Sequence, residues 1–233
     1  MPPPAHTIAV IDFETTGLSP AQGARATEIA AVLLRDGEVV GRYQSLMNSG
    51  AWVPPFIEQL TGISNRMLER APPAEQVMRE VGEVTRGCAL VAHNASFDRS
   101  FWQAERRRAG LLGSDAGRDA DIDADSDSEG DTDDDGPDFG CTLLLSRRVY
   151  PQSRDHRLGT LAAMHGIRAT GRAHRALADA EMAAQLWLQI GRDVEQRWAP
   201  AGGASFELLS RLQRCPRAQL DGLMQRLGAR ERR

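Results

Sequence analysis

Three short stretches of this chain hold residues that could do chemistry together. The first is Asp12 and Glu14, two apart at the end of the apolar run Thr7 to Glu14. If that run is a strand, its period of two puts both carboxylates on one face, with Ile8 and Val10. Oxygen ligands so spaced suit Mg²⁺ or Mn²⁺, hard cations that accompany phosphate chemistry, and a buried acid pair needs a positive partner. A strand that has simply reached solvent by residue 12 would carry the same two acids. The second stretch is His93-Asn-Ala-Ser-Phe-Asp98, directly after a short apolar run. It places Asp98 in the first turn of a helix, at the carboxyl end of a strand, where open α/β sheets bind their ligands. The helix dipole alone would also favour an acid there. The third is His174-Arg-Ala-Leu-Ala-Asp179, a spacing that puts the histidine in an entry loop and the aspartate on the helix behind it. A neutral imidazole can accept a proton from an attacking water at physiological pH, although a lone histidine more often decorates a surface.

The elements that must position these groups can be read from the apolar pattern. Thr7 to Glu14 is apolar on both faces, with Ile8 and Val10 on one and Ala9, Ile11 and Phe13 on the other, as in the middle of a covered sheet. Ala26 to Leu34 and Val39 to Met47 read as two strands joined through an Asp-Gly turn. From Trp52 the pattern turns helical, interrupted at Pro72-Pro73. Cys88 to Ala92 is a short buried strand, and Ser96 to Gly110 a helix with Phe97 and Phe101 four apart. Further helices begin at Thr142 and Leu158, and a long one runs from Arg175 to Val194 with Ala178, Met182, Leu186 and Ile190 as its apolar stripe. A meander of strands followed by alternating helices and strands indicates an α/β sheet domain.

Composition narrows the class. At 233 residues, 41% apolar and 26% charged, the chain suits one compact domain with extra segments, not a collagen-like, coiled-coil or wholly disordered protein. No apolar run approaches the roughly 18 residues of a membrane-spanning helix, and residues 1–6 do not open a secretory signal. Cys88, Cys141 and Cys215 are odd in number and far apart, which suggests reduced thiols in a cytoplasmic protein. The net charge of −4 is unevenly spread: residues 114–138 carry −11, with Arg118 their single base, and the remainder carries +7. All 28 basic residues are arginine, a bias most simply ascribed to coding, but a basic body is compatible with a polyanionic partner. Residues 114–138 read as a disordered acidic insertion. Their Asp125-x-Asp127-x-Glu129-Gly130 phase resembles a calcium loop, yet its twelfth position is Gly136 and not glutamate, so a solvated loop is favoured. Residues 199–204 form a linker, and 205–233 a pair of short helices with a basic end.

The order of the three motifs, each on the matching element, resembles the DnaQ-like 3′–5′ exonucleases. The branch is the one with histidine in its third motif (DEDDh), to which the epsilon proofreading subunit of bacterial DNA polymerase III belongs. Asp12-Phe-Glu-Thr-Thr-Gly-Leu18 resembles the family's whole first motif, Thr61-Gly-Ile-Ser64 its helix-end signature, and Arg157-Leu-Gly-Thr-Leu-Ala162 the segment before its third motif. The resemblance covers about residues 7–192, apart from the insertion. It implies a ribonuclease H-like mixed five-stranded sheet flanked by helices and an exonuclease domain over residues 1–195, which leaves 196–233 as the linker and short helical tail read from the residues themselves. It implies that Asp12, Glu14, Asp98 and Asp179 hold two divalent metal ions, Mg²⁺ or Mn²⁺, with Asp12 bridging, and that His174 is the general base. Phe13, Thr15, Thr16, Gly17, Leu18, Asn94, Phe97 and His174 would contact the terminal nucleotide. Turn geometry for Thr-Thr-Gly and core packing for Phe97 are the plainer readings.

The implied activity is removal of nucleoside 5′-monophosphates from a 3′ end in DNA proofreading, replication or repair, with DNA favoured over RNA as the nucleic-acid partner. An RNA or oligoribonucleotide exonuclease and an inactive nucleic-acid-binding scaffold are the alternatives; a scaffold would have no need of His174. A polymerase or sliding-clamp partner is a further expectation. Gln219-Leu-Asp-Gly-Leu-Met224 faintly resembles clamp-docking peptides, although it lacks their aromatic or leucine ending, and a plain helical hairpin is favoured.

Overall fold

A computed structural model describes residues 7–111, 139–200 and 202–230. The expected acidic insertion, with its calcium-like phase, lies outside the described residues.

The centre of the fold is β1 (Ile8–Thr15), which pairs antiparallel with β2 (Ala26–Arg35) and parallel with β4 (Ala89–Ala92). β3 (Glu38–Leu46) extends the sheet beyond β2, and β5 (Phe139–Cys141) beyond β4, giving the order β3-β2-β1-β4-β5. The hairpin between β2 and β3 turns at Asp36 and Gly37, both at positive φ (53° and 82°), the turn geometry whose twist matches paired strands.

Both faces of β1 are buried, as its sequence predicts. Val10 packs with Ala30, Val32 and Leu34 of β2 beneath α7 (Ala176–Trp198). Ala9, Ile11 and Phe13 pack on the other face against α3 (Ala74–Val84) and α4 (Ala95–Arg108). Two short helices, α1 (Pro55–Thr61) and α2 (Asn65–Leu68), lie between β3 and α3 around a small cluster of Val53, Ile63 and Leu68. α5 (Thr142–Val149) and α6 (Leu158–Met164) precede α7, and α8 (Phe206–Arg214) and α9 (Leu220–Arg230) follow it.

The sequence pattern misplaces the stripe of α7. Leu186 and Ile190 do enter the main cluster, but their companions there are Ala176, Ala180, Ala183, Ala184, Trp187 and Val194. Ala178 and Met182 are buried outside it. A strict four-residue step drifts around a helix of 3.6 residues per turn, so the three steps from Ala178 to Ile190 do not follow one face.

β5 is too short for periodicity to reveal, and it is secured from outside. A Cβ at Gly140 would lie 2.8 Å from the Trp187 ring, so only glycine lets α7 approach here. The outer edge of β5 is closed by Gln213 of α8: the Cys141 N–H donates to its Oε1 at 2.6 Å, and its Nε2 donates to the Phe139 carbonyl at 2.8 Å. Leu208, Leu209, Leu212, Leu220 and Met224 bury their side chains in the same cluster as α7. Of the three apolar residues of the clamp-like segment, Leu220 and Met224 are therefore core residues and Leu223 packs partly buried against the same cluster. Among the described residues, no helix is long and apolar enough to cross a membrane.

Candidate active site

β1 delivers the first two acids. Alternation turns Phe13 into the α4-side core, where its ring lies 6.4 Å from that of Phe101, and leaves Asp12 and Glu14 on the α7 side. The Phe13 ring is thus a packing element, and what this residue presents to the site is its backbone. Its N–H donates to Asp98 Oδ1 at 3.1 Å, which ties the first turn of α4 to the strand between the two acids. Asp98 is itself buried.

α7 supplies the remaining pair. Asp179 stands in its first turn, and His174 lies just before the helix in the left-handed region at φ 59°. Asp179 Oδ2 accepts the His174 N–H at 3.1 Å, so the aspartate holds the loop that carries the histidine. One ligand atom each from Glu14, His174 and Asp179 lie within 4.8 Å of one another.

Burial and mutual repulsion set the electrostatics. Asp12 is pushed well above the carboxylate range by burial first, then by Asp98, Glu14, Asp179 and Glu28. Glu14 is pushed up to about 8, by burial and then by Asp179 and Glu28, with Arg175 opposing. Burial raises Asp98 as well, against the N–H of Phe13, and raises Asp179 against the N–H of His174. The four predicted acids and His174 are therefore brought to one end of the sheet, where negative charge is incompletely compensated. A set of carboxylates with one imidazole and no thiolate suits a hard divalent cation.

The turn after β1 forms the rim. The Thr15 hydroxyl donates to the Gly17 carbonyl at 2.7 Å, and Thr16 Oγ1 accepts the Arg25 N–H at 3.0 Å, so both hydroxyls shape the turn. Leu18 projects from it with 84% of its surface exposed. Asn94 is exposed at φ 65°, and Phe97 is half-buried against Phe101, with ring centroids 4.9 Å apart. His93 faces inward, its Nδ1 2.8 Å from the Thr142 hydroxyl, and burial lowers it to about 4.

Two ion pairs near the start of β2, each joining a buried acid to a partly exposed arginine, escaped the sequence reading. Arg25 grips Glu105 of α4 through Nε at 2.8 Å and Nη2 at 2.9 Å. Arg175 grips Glu28 through Nε at 3.0 Å and Nη2 at 2.6 Å. The available signal was Glu28 itself, a lone acid in the otherwise apolar Ala26 to Leu34 run.

The family described as exonuclease (RNase T) matches residues 9–187. The chain belongs to this exonuclease family. Among its relatives, the 3′–5′ exonuclease DinG of Bacillus subtilis (strain 168) is 35% identical, aligned over 80% of this chain and 18% of DinG. The PolC-type DNA polymerase III of Bacillus cereus is 33% identical over 82% of this chain and 12% of the polymerase. The chain thus spans less than a fifth of either relative. Exonuclease X, solved in complex with 5′ overhanging duplex DNA, superposes with a TM-score of 0.60 at 23% identity, covering 88% of this chain and 99% of that one. The five-stranded mixed sheet with flanking helices is the ribonuclease H-like fold that the resemblance implies.

Proposed function

We propose that this exonuclease acts in the 3′–5′ direction, releasing nucleoside 5′-monophosphates one at a time, with single-stranded DNA as its substrate. The observation that carries the reading is the gathering of Asp12, Glu14, Asp98, Asp179 and His174 at one end of the sheet from three separate stretches of chain. Asp12, Glu14, Asp98 and Asp179 are the residues that would hold two divalent cations, Mg²⁺ or Mn²⁺. When bound, such ions activate water as a nucleophile and stabilise the charge on a leaving oxygen. His174, exposed at the mouth, takes the proton from the attacking water. Asp179 orients it by holding its backbone N–H. Leu18 wedges against the terminal base, Thr15, Thr16 and Gly17 offer backbone to its sugar and phosphate, and Asn94 and Phe97 close the same pocket.

The DNA assignment is supported by the relatives above 30% identity, one named a 3′–5′ exonuclease and the other a DNA polymerase. One gel tests the whole reading: 3′-labelled and 5′-labelled single-stranded DNA and RNA, with Mg²⁺, Mn²⁺ or chelator, beside the Asp12→Ala protein. A ladder shortening from the 3′ end of DNA, absent with chelator and in the variant, is expected. Faster loss of RNA would reassign the substrate, and products that survive Asp12→Ala would remove the metal-acid mechanism.

A further inference from the structure

We propose that Glu28 is a positioning residue of this site, acting through Arg175 to hold the His174–Asp179 segment in its working conformation; the catalytic consequence rests on the exonuclease reading above. Glu28 is 1% exposed and stands on β2 directly opposite Glu14 of β1. It would pass for a fifth metal-binding acid, but its oxygens are already engaged. Oε1 accepts from Gln44 Nε2 at 2.8 Å and from Arg175 Nη2 at 2.6 Å. Oε2 accepts from Arg175 Nε and from the Ala176 N–H, each at 3.0 Å. Four donors on two oxygens fill the positions a carboxylate offers.

The contact to Ala176 is a helix cap supplied from a distant strand. Arg175 occupies the N-cap position of α7 without a capping side chain of its own, so Glu28 satisfies a helix N–H that would otherwise lack a partner. Two carboxylates thus hold alternate residues of one short segment: Asp179 takes the N–H of His174, and Glu28 takes that of Ala176 together with the side chain of Arg175 between them. The segment needs such holding. His174 is a non-glycine residue at φ 59°, a conformation that side chains seldom adopt and that persists only when its surroundings impose it. An arginine fork on a buried carboxylate also fixes direction, which a lysine would not reproduce.

The test uses the full chain with Glu28→Gln, Glu28→Ala and Arg175→Lys. Gln keeps the shape and one acceptor for the Ala176 N–H, and Lys keeps the charge without the fork. Amide hydrogen exchange is read over residues 172–180 and 8–15, Mn²⁺ affinity by electron paramagnetic resonance, and kcat and KM on a single-stranded DNA. Exchange over 172–180 should rise about tenfold while 8–15 stays protected, and kcat should fall about 10–100-fold, the usual scale for outer-layer partners of a metal site. KM should stay within about threefold of wild type, and Mn²⁺ affinity, which draws on Asp179 of the loosened segment, should fall by less than kcat. Glu28→Gln should retain more activity than Glu28→Ala. Unchanged exchange over 172–180 in any folded variant overturns the proposal, and a loss of Mn²⁺ affinity alongside that unchanged exchange would make Glu28 a ligand instead. Should Glu28→Ala fail to fold, Glu28→Gln and Arg175→Lys carry the same test. A wild-type protein without nuclease activity would defeat the exonuclease reading, and the exchange measurement would still decide the positioning role.

Discussion

Glu14 and Glu28 face each other across the β1–β2 ladder, and only one of them has been given a cation. Glu28 is locked to Arg175, whereas Glu14 faces Asp179 and Glu28 and is pushed up to about 8. A protein arranged for its own stability alone would gain by neutralising both. The facing pair therefore separates a structural acid from one kept available for an external partner.

This gives a pH dependence opposite in sign to that of an ordinary carboxylate. Glu14 titrates near 4.5 when unfolded and near 8 when folded, so between those values the folded state holds a proton that the unfolded state lacks. Its contribution is complete below about 4.5 and is lost as pH rises through 8. His93, lowered to about 4, acts in the other direction, but only up to the ordinary histidine value of 6.5. The clean window is therefore above pH 6.5. Urea denaturation in chelator should show lower stability at pH 8.5 than at 6.5, with a slope of no more than about 1.4 kcal/mol per pH unit from this group. Saturating Mg²⁺ should reduce or reverse the difference. A metal-free protein that gains stability over this interval would contradict the charge assignment.

The same repulsion predicts that removing an acid helps the fold while it destroys the chemistry. Asp12 is raised by burial and by four neighbouring carboxylates. Asp12→Asn keeps its shape and removes its charge. In chelator at pH 8 its Tm should exceed that of wild type, its gain in Tm on adding Mn²⁺ should shrink, and turnover should fall by at least about 10³-fold. A variant both less stable and still active would mean that Asp12 is held by contacts other than those seen here.

Much of this site was legible because its parts follow short-range rules. Asp12 and Glu14 share a face by the period of a strand, and Asp98 and Asp179 enter first turns after recognisable strand and loop signals. The β2–β3 hairpin announced itself through Asp36-Gly37. What was hidden depends on pairings across the chain. Arg175 meets Glu28 from 147 residues away and Arg25 meets Glu105 from 80; Glu28 stands out as an acid in an apolar run, but no local pattern says which arginine it meets. β5 escaped because three residues carry no period, and its place is set by Gly140 under Trp187 and by Gln213 outside. Phe13, expected among the substrate contacts, turns its ring into the opposite core by strand alternation, so only its backbone is left facing the acids.

His174 separates chemistry from binding. It is exposed, and its ring supports no core. His174→Ala should therefore fold with an unchanged Tm, bind DNA within about threefold of wild type and lose roughly 10²–10⁴-fold in kcat, the range for removal of a general base. Single-turnover kinetics beside equilibrium DNA binding would check this. Wild-type kcat in that variant would remove the proton-acceptor role, and lost affinity with intact kcat would move His174 into substrate binding.

Gln213 tests whether the C-terminal helices belong to the same cooperative unit. Its amide completes the outer edge of β5, accepting from Cys141 N and donating to the Phe139 carbonyl, and it is itself buried. Gln213→Leu keeps much of the volume and leaves two buried backbone groups without partners, so it should cost about 2–4 kcal/mol. The loss should appear as a lower urea midpoint with an unchanged slope, because Leu209 and Leu212 of α8 share one cluster with Leu186 and Ile190 of α7. A separate early transition of smaller slope would show that α8 and α9 unfold alone. A cost under about 0.5 kcal/mol would mean that water replaces the amide at this edge and that α8 does not seal it.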